Sequence, residues 1–206
     1  MKKFIFFILI LTVCSCKKED SKTTVTPNAS SIEVDSIIYN SKSFEPHLKF
    51  NSELSEYELI KLANPESFTD LELSYPIHEN DFEFDKTEDF KYYTPFSFDF
   101  EGVSYELIAY HSYGENDLKV VNIQLNSYLE GKQTDALLVD CRFTFETEYY
   151  REFTITKNGI ITIEKVAIEG LNYNSAGDIV GKKTVKDTTA ETVRYKMSAK
   201  GNFVKI

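Results

Sequence analysis

From Phe96 onward, apolar and polar residues alternate with a period of two. Phe96, Phe98 and Phe100 alternate with Ser97 and Asp99, Val103-x-Tyr105-x-Leu107-x-Ala109 follows Gly102, and Val121-x-Ile123-x-Leu125 follows a turn at residues 113–117. After a turn at Glu130-Gly131-Lys132 come Leu137-x-Val139-x-Cys141-x-Phe143-x-Phe145 and Tyr149-x-Arg151-x-Phe153-x-Ile155. Lys157-Asn158-Gly159 then leads into a return strand over residues 160–168. Strict alternation places successive side chains on opposite faces, and Asn-Gly is a hairpin step. The pattern predicts a mainly β fold: an antiparallel meander or sandwich with one face buried and Asn122, Gln124 and Asn126 on the other. Residues 170–192 are polar, with a turn at 174–178 and two short strands around it. Val193-x-Tyr195-x-Met197 and residues 203–206 predict a closing hairpin.

The front half is less regular. Residues 32–39 and 44–50 read as short strands broken at Asn40-Ser41 and interrupted by Pro46. Residues 52–63 allow either a strand or one short helix opened by a Ser55-x-x-Glu58 capping box, and at most one helix is expected in the whole chain. Residues 68–75 read as a strand closed by Pro76. Residues 76–95 form a long acidic connection in which Phe82 and Phe84 alternate with acids as in an edge strand. Asp81, Glu83 and Asp85 have the spacing that opens an EF-hand loop, but Lys86 and Tyr92 stand where that loop needs Gly and Glu.

The apolar stretch at residues 4–13, behind Lys2 and Lys3, would reach roughly 15 Å as a helix, half of a bilayer core. It has the layout of a secretory signal peptide. Val13-Cys14-Ser15-Cys16 resembles a bacterial lipobox, which implies thioether lipidation of Cys16, with Cys14 as the competing acceptor. Lys18-Glu19-Asp20 resembles the lysine-plus-acids export signal of Bacteroidota outer-membrane lipoproteins. That resemblance implies a lipid-anchored protein of the outer membrane displayed at the cell surface, with the periplasmic face as the alternative. The expected organisation is a signal peptide at 1–15, a flexible tether at 16–31 and a β-rich globular domain at 32–206, with 95–102 as the join if that domain holds two subdomains. Asp35-Ser36-Ile37 and Asp187-Thr188-Thr189 resemble Bacteroidota O-glycosylation acceptors, which would place sugar on Ser36 and Thr188.

Charge and cysteine content narrow the function. A formal net charge of −10, with no Lys/Arg cluster, disfavours nucleic acid as a partner. Of 3 cysteines, Cys14 goes with the signal peptide and Cys16 with the lipid, leaving Cys141 on an apolar face as an inert thiol. His47, His78 and His111 have no zinc-binding spacing, and neither a nucleophile elbow nor a phosphate loop is present. The strongest catalytic candidate is His111 beside Tyr110 and Tyr113, but no cofactor or metal set accompanies it. The residues read as a binding module for a protein or glycan rather than an enzyme. The alternative is an acidic inhibitor or immunity-type lipoprotein that sets the carboxylates of 79–85 against a basic cleft.

Cys16→Ala is expected to abolish metabolic labelling with a fatty-acid probe. Glu19→Ala/Asp20→Ala should keep the label but lose protease accessibility on intact cells. Label that persists on Cys16→Ala and vanishes on Cys14→Ala would move the anchor to Cys14.

Overall fold

The computed structural model describes residues 37–83, 86, 89–114 and 117–206, so the signal segment, Cys16, Lys18, Glu19, Asp20 and Ser36 lie outside the described residues. The fold is mainly β and antiparallel. Strands β4 (Glu66–Ser67), β5 (Lys91–Phe100), β6 (Val103–Tyr113), β7 (Lys119–Leu129), β8 (Lys132–Thr144), β9 (Thr147–Thr156), β10 (Ile160–Tyr173), β11 (Ile179–Met197) and β12 (Phe203–Lys205) lie side by side in chain order. β1 (Ile37–Asn40) pairs with β9, and β2 (Leu48–Asn51) with β3 (Glu56–Leu59) forms a separate hairpin.

The turns follow the sequence signals. Glu101-Gly102 and Glu130-Gly131 are two-residue loops with positive φ at both positions, the mirror-image turn that matches strand twist. At residues 157–159, Gly159 alone takes the left-handed conformation.

The meander folds back on itself between β8 and β9. Val103, Tyr105, Leu107, Ile123, Leu125, Leu137 and Val139 on one side share a core with Phe153, Ile155, Ile161, Ile163, Val193 and Tyr195 on the other. β8 and β9 pair only beside their connecting turn, at Phe143↔Tyr149 and Thr144↔Glu148. Beyond it they splay apart, and side chains satisfy the freed backbone of β9. Asp140 Oδ1 accepts the Arg151 N–H at 3.0 Å, Ser41 Oγ accepts the Phe153 N–H at 2.7 Å, and β1 takes up the edge from Thr154 to Thr156. The closing hairpin seals the opposite end: Gly201 O accepts from Ser127 Oγ at 2.6 Å and Phe203 N–H donates to Asp135 at 2.8 Å.

Several local expectations need correction. Residues 68–75 are no strand: Thr69 and Glu72 form a capping box that opens helix α2 (Asp70–Ser74), numbered after α1 (Ser41–Phe44). Residues 44–47 are helical because Pro46 has the fixed φ of a first turn and no N–H to lose there, and the strand begins only at Leu48. Of the two forms open to residues 52–63 the strand is the one that forms, as β3, so that reading holds and the Ser55–Glu58 capping box is not made. Asp81 and Phe82 lie in a turn, not an edge strand. Asn122, Gln124 and Asn126 are buried rather than wet. The segment carrying Phe68, Leu73 and Phe90 packs on the outer face of β6 with Ile108 and Tyr110. Most of their polarity is met by side-chain bonds, with Asn122 on Ser112 at 2.7 Å, Tyr110 on Gln124 at 3.0 Å and Gln124 on Asn126 at 2.6 Å, while Asn122 Oδ1 stays buried without a partner. Two short strands were expected within 170–192. Instead β10 and β11 run 14 and 19 residues and meet at an Asx turn in which Asn174 Oδ1 accepts from the Ala176 and Asp178 N–H groups.

Gly201 combines a φ of 82° with a position where a Cβ would lie 2.2 Å from Thr134 Oγ1. Gly102 has the same φ with nothing within 4 Å. Gly102→Ala should therefore cost about 1 kcal/mol of left-handed strain and Gly201→Ala about 3 kcal/mol, the difference being the clash. Urea denaturation checks this, and equal losses would show that the closing hairpin yields.

Candidate functional site

The splay between β8 and β9 is filled by residues 76–83, here called the strap. Its His78 lies parallel to β8 at Leu137: the His78 N–H donates to Ala136 O at 2.9 Å, and Leu138 N–H donates to His78 O at 3.0 Å. The strap thus takes the place of the missing strand on that edge of β8. Ile77 packs with Val120, Leu138 and Cys141, and Phe82 stands edge-on to Phe143 and Tyr149.

Under the strap lies a charged cluster. Arg151 is fully buried, and each of its three side-chain nitrogens has a partner. Nε donates to Tyr149 Oη at 3.1 Å, Nη1 to Leu138 O at 2.9 Å, and Nη2 to Glu79 O at 2.8 Å and Asp81 Oδ2 at 3.2 Å. Lys165, directly opposite Arg151 on β10, reaches Glu79 at 2.5 Å and Asp81 at 2.6 Å. Lys205 from β12 meets Glu79 at 2.9 Å, and the Tyr195 hydroxyl of β11 donates to the same carboxylate. Burial works against the Glu79 charge, but the bonds from Lys165, Tyr195 and Lys205 outweigh it and hold the carboxyl down at about 2. Asp140, also buried, pairs with Arg142 at 2.6 Å.

A second surface projects from the domain. β9 ends opposite Glu169, so from Gly170 the paired strands β10 and β11 continue as a two-stranded ribbon. Tyr173, Ile179, Val180 and Val185 are exposed on it, and Phe145 beside its base is 59% exposed. A shallow groove there is lined by Phe145, Ile168 and Leu171, with Lys182, Lys186, Glu146 and Glu148 around it. Among the described residues, no strand pairs with the outer edge of β11 before Tyr195. The edge is irregular: residues 183–186 bulge out opposite Gly170, and Lys183 folds back onto Asp187 at 2.8 Å. Thr188 lies exposed on this edge, just past the bulge.

The other candidates are dispersed. His111 and Tyr110 are chain neighbours in β6 and face opposite ways, Tyr110 into a core and His111 toward the β3 backbone at Tyr57. Burial, with Lys119 nearby, lowers the His111 pKa to about 4. His78 reaches Asp135 at 3.1 Å, while His47 stands edge-on to Phe96. The calcium-like spacing comes to nothing at Asp81, which is engaged by Arg151 and Lys165, and Asp85 lies outside the described residues. Cys141 is buried and its thiol pKa is pushed up to about 12, as an inert thiol requires. No protein-family model, curated protein or solved structure matches the chain.

Glu79→Gln should cost about 2 kcal/mol at pH 7, the worth of bonds to a charged acceptor. A carboxyl whose folded pKa lies below its ordinary 4.5 stabilises the fold above that value. This stability is lost as the pH falls from 4.5 toward 2. The variant should lack this component, so the two stability curves converge in acid; a constant offset from pH 7 to pH 2 would remove Glu79 as its source.

Proposed function

We propose that this chain is a lipid-anchored envelope protein, held to the outer membrane through Cys16 and displayed at the cell surface, and that its β-sandwich is an interaction module rather than an enzyme. The projecting ribbon carries this reading. A strand pair that leaves the sheet, keeps aliphatic and aromatic side chains in water and exposes a backbone edge has the makings of a contact surface. A protein partner suits it better than a glycan, because an open edge offers main-chain hydrogen bonds and Ile179, Val180 and Val185 offer aliphatic area.

The alternative is an acidic inhibitor presenting the carboxylates of residues 79–85. Glu79, however, is turned inward onto Lys165 and Lys205, with its side chain only 6% exposed. That reading must therefore rest on other acids.

Capture from the native envelope, with the full chain as bait, tests the ribbon. Ile179→Ser/Val180→Ser should leave the melting temperature nearly unchanged, because both side chains are exposed, and should reduce recovery of the partner about tenfold, the worth of about 1.4 kcal/mol. Equal capture by both forms would move the interface off the ribbon.

A further inference from the structure

In a chain of net charge −10, three cations converge on one place: Arg151 from β9, Lys165 from β10 and Lys205 from β12. Among the described residues, the carboxylates that pair with them are Glu79, on Lys165 and Lys205, and Asp81, on Arg151 and Lys165, and both arrive on the strap. The strap also supplies the Glu79 carbonyl to Arg151. The sandwich thus builds the cationic half of a site, and a single crossing segment fills it. That segment enters the left-handed region disfavoured for side-chain-bearing residues twice, at Glu79 (φ 59°) in its middle and at Glu83 (φ 50°) at its end. A hollow lined by Asp81, Phe82, Tyr149, Lys165, Ala167 and Thr189 lies beside it.

We propose that the strap is an internal ligand, and that Arg151, Lys165 and Lys205 form a binding site for a paired carboxylate, which exchanges with Glu79 and Asp81. Electrostatics select that ligand class. Arg151 keeps its charge at any accessible pH, so the strap cannot leave it bare without a large penalty. Replacing carboxylate by carboxylate conserves the pairing and releases the strained turns. Neutral or cationic ligands supply no such compensation. The site is separate from the exposed ribbon surface.

The test uses the full chain with Glu79→Ala/Asp81→Ala, which removes the internal carboxylates and leaves the cations. The probes are malonate and the peptide acetyl-Glu-Asn-Asp-amide, a copy of residues 79–81, against chloride at matched ionic strength, read by calorimetry and thermal shift. Because the wild-type site is occupied, its apparent affinity is reduced by the fraction that is closed. The variant is expected to bind at least one probe saturably and about tenfold or more tighter than wild type does. Preference for malonate would identify a small dicarboxylate as the external ligand, and preference for the peptide an acidic chain segment. If neither probe exceeds the chloride control, the proposal is overturned. Should the double variant fail to fold, Asp81→Asn keeps Glu79 in place and acetate becomes the probe, and no gain over wild type would overturn it equally.

Discussion

The fold turns on a missing stretch of hydrogen bonds between β8 and β9. A meander of this length must either stay open, with a wide apolar face in water, or fold over to cover it. Folding over requires two adjacent strands to part, and parting exposes main-chain donors and acceptors in the interior. Each such group left unpaired costs about 1–3 kcal/mol. Here several of them find partners that can be named. Arg151 N–H goes to Asp140, Phe153 N–H to Ser41, and Leu138 N–H and Ala136 O to His78. The Leu138 carbonyl takes Arg151 Nη1. The strap and β1 are thus the two pieces that let one sheet become two layers.

The charged cluster is a consequence of the same opening. Arg151 joins β8, Tyr149 and the strap at once, and it is completely buried in doing so. A buried guanidinium is tolerable only when it is paired and hydrogen-bonded, and an ion pair in that setting is weaker as a source of stability than as a determinant of which arrangement forms. Glu79 and Asp81 fix the register of the strap, because displacing it along β8 would leave at least one cation facing apolar wall. The small apolar cluster of Ile77, Leu138 and Cys141 supplies burial that is indifferent to register, so the charges supply the specificity.

The meander was legible because β5–β10 each bury one face in the common core, which imposes period two on the sequence. Gly102, Gly131 and Gly159 stood where the turns needed positive φ. What escaped did so for identifiable reasons. Asn122, Gln124 and Asn126 look like a solvent face because their burial depends on a distant segment and their bonds go to side chains of the same face, Ser112, Tyr110 and Tyr128. Residues 68–75 carry β-formers, and the Thr69-x-x-Glu72 cap outweighs their propensity. The long ribbon has neither face buried, so it lacks the alternation that marks the other strands. The strap was visible only as an acidic connection, since nothing local announces that Glu79 will meet Lys165, Tyr195 and Lys205 from three later strands.

Those three partners also connect the two candidate surfaces. Lys165 lies on β10 and Tyr195 on β11, the same strands that run on into the ribbon, and both bond to the Glu79 carboxylate. Lys165 and Tyr173 are about 27 Å apart at the usual rise of a strand, so no ligand of the cationic cluster touches the ribbon tip. Yet one carboxylate joins the two strands inside the sandwich, at Lys165 and Tyr195, while the ladder between Lys165 and Glu191 holds them from the side. Removing that carboxylate leaves the ladder intact and takes away only the cross-strand brace. The strap that fills the gap between β8 and β9 therefore also ties β10 to β11, several residues before the two strands leave the sandwich as the ribbon.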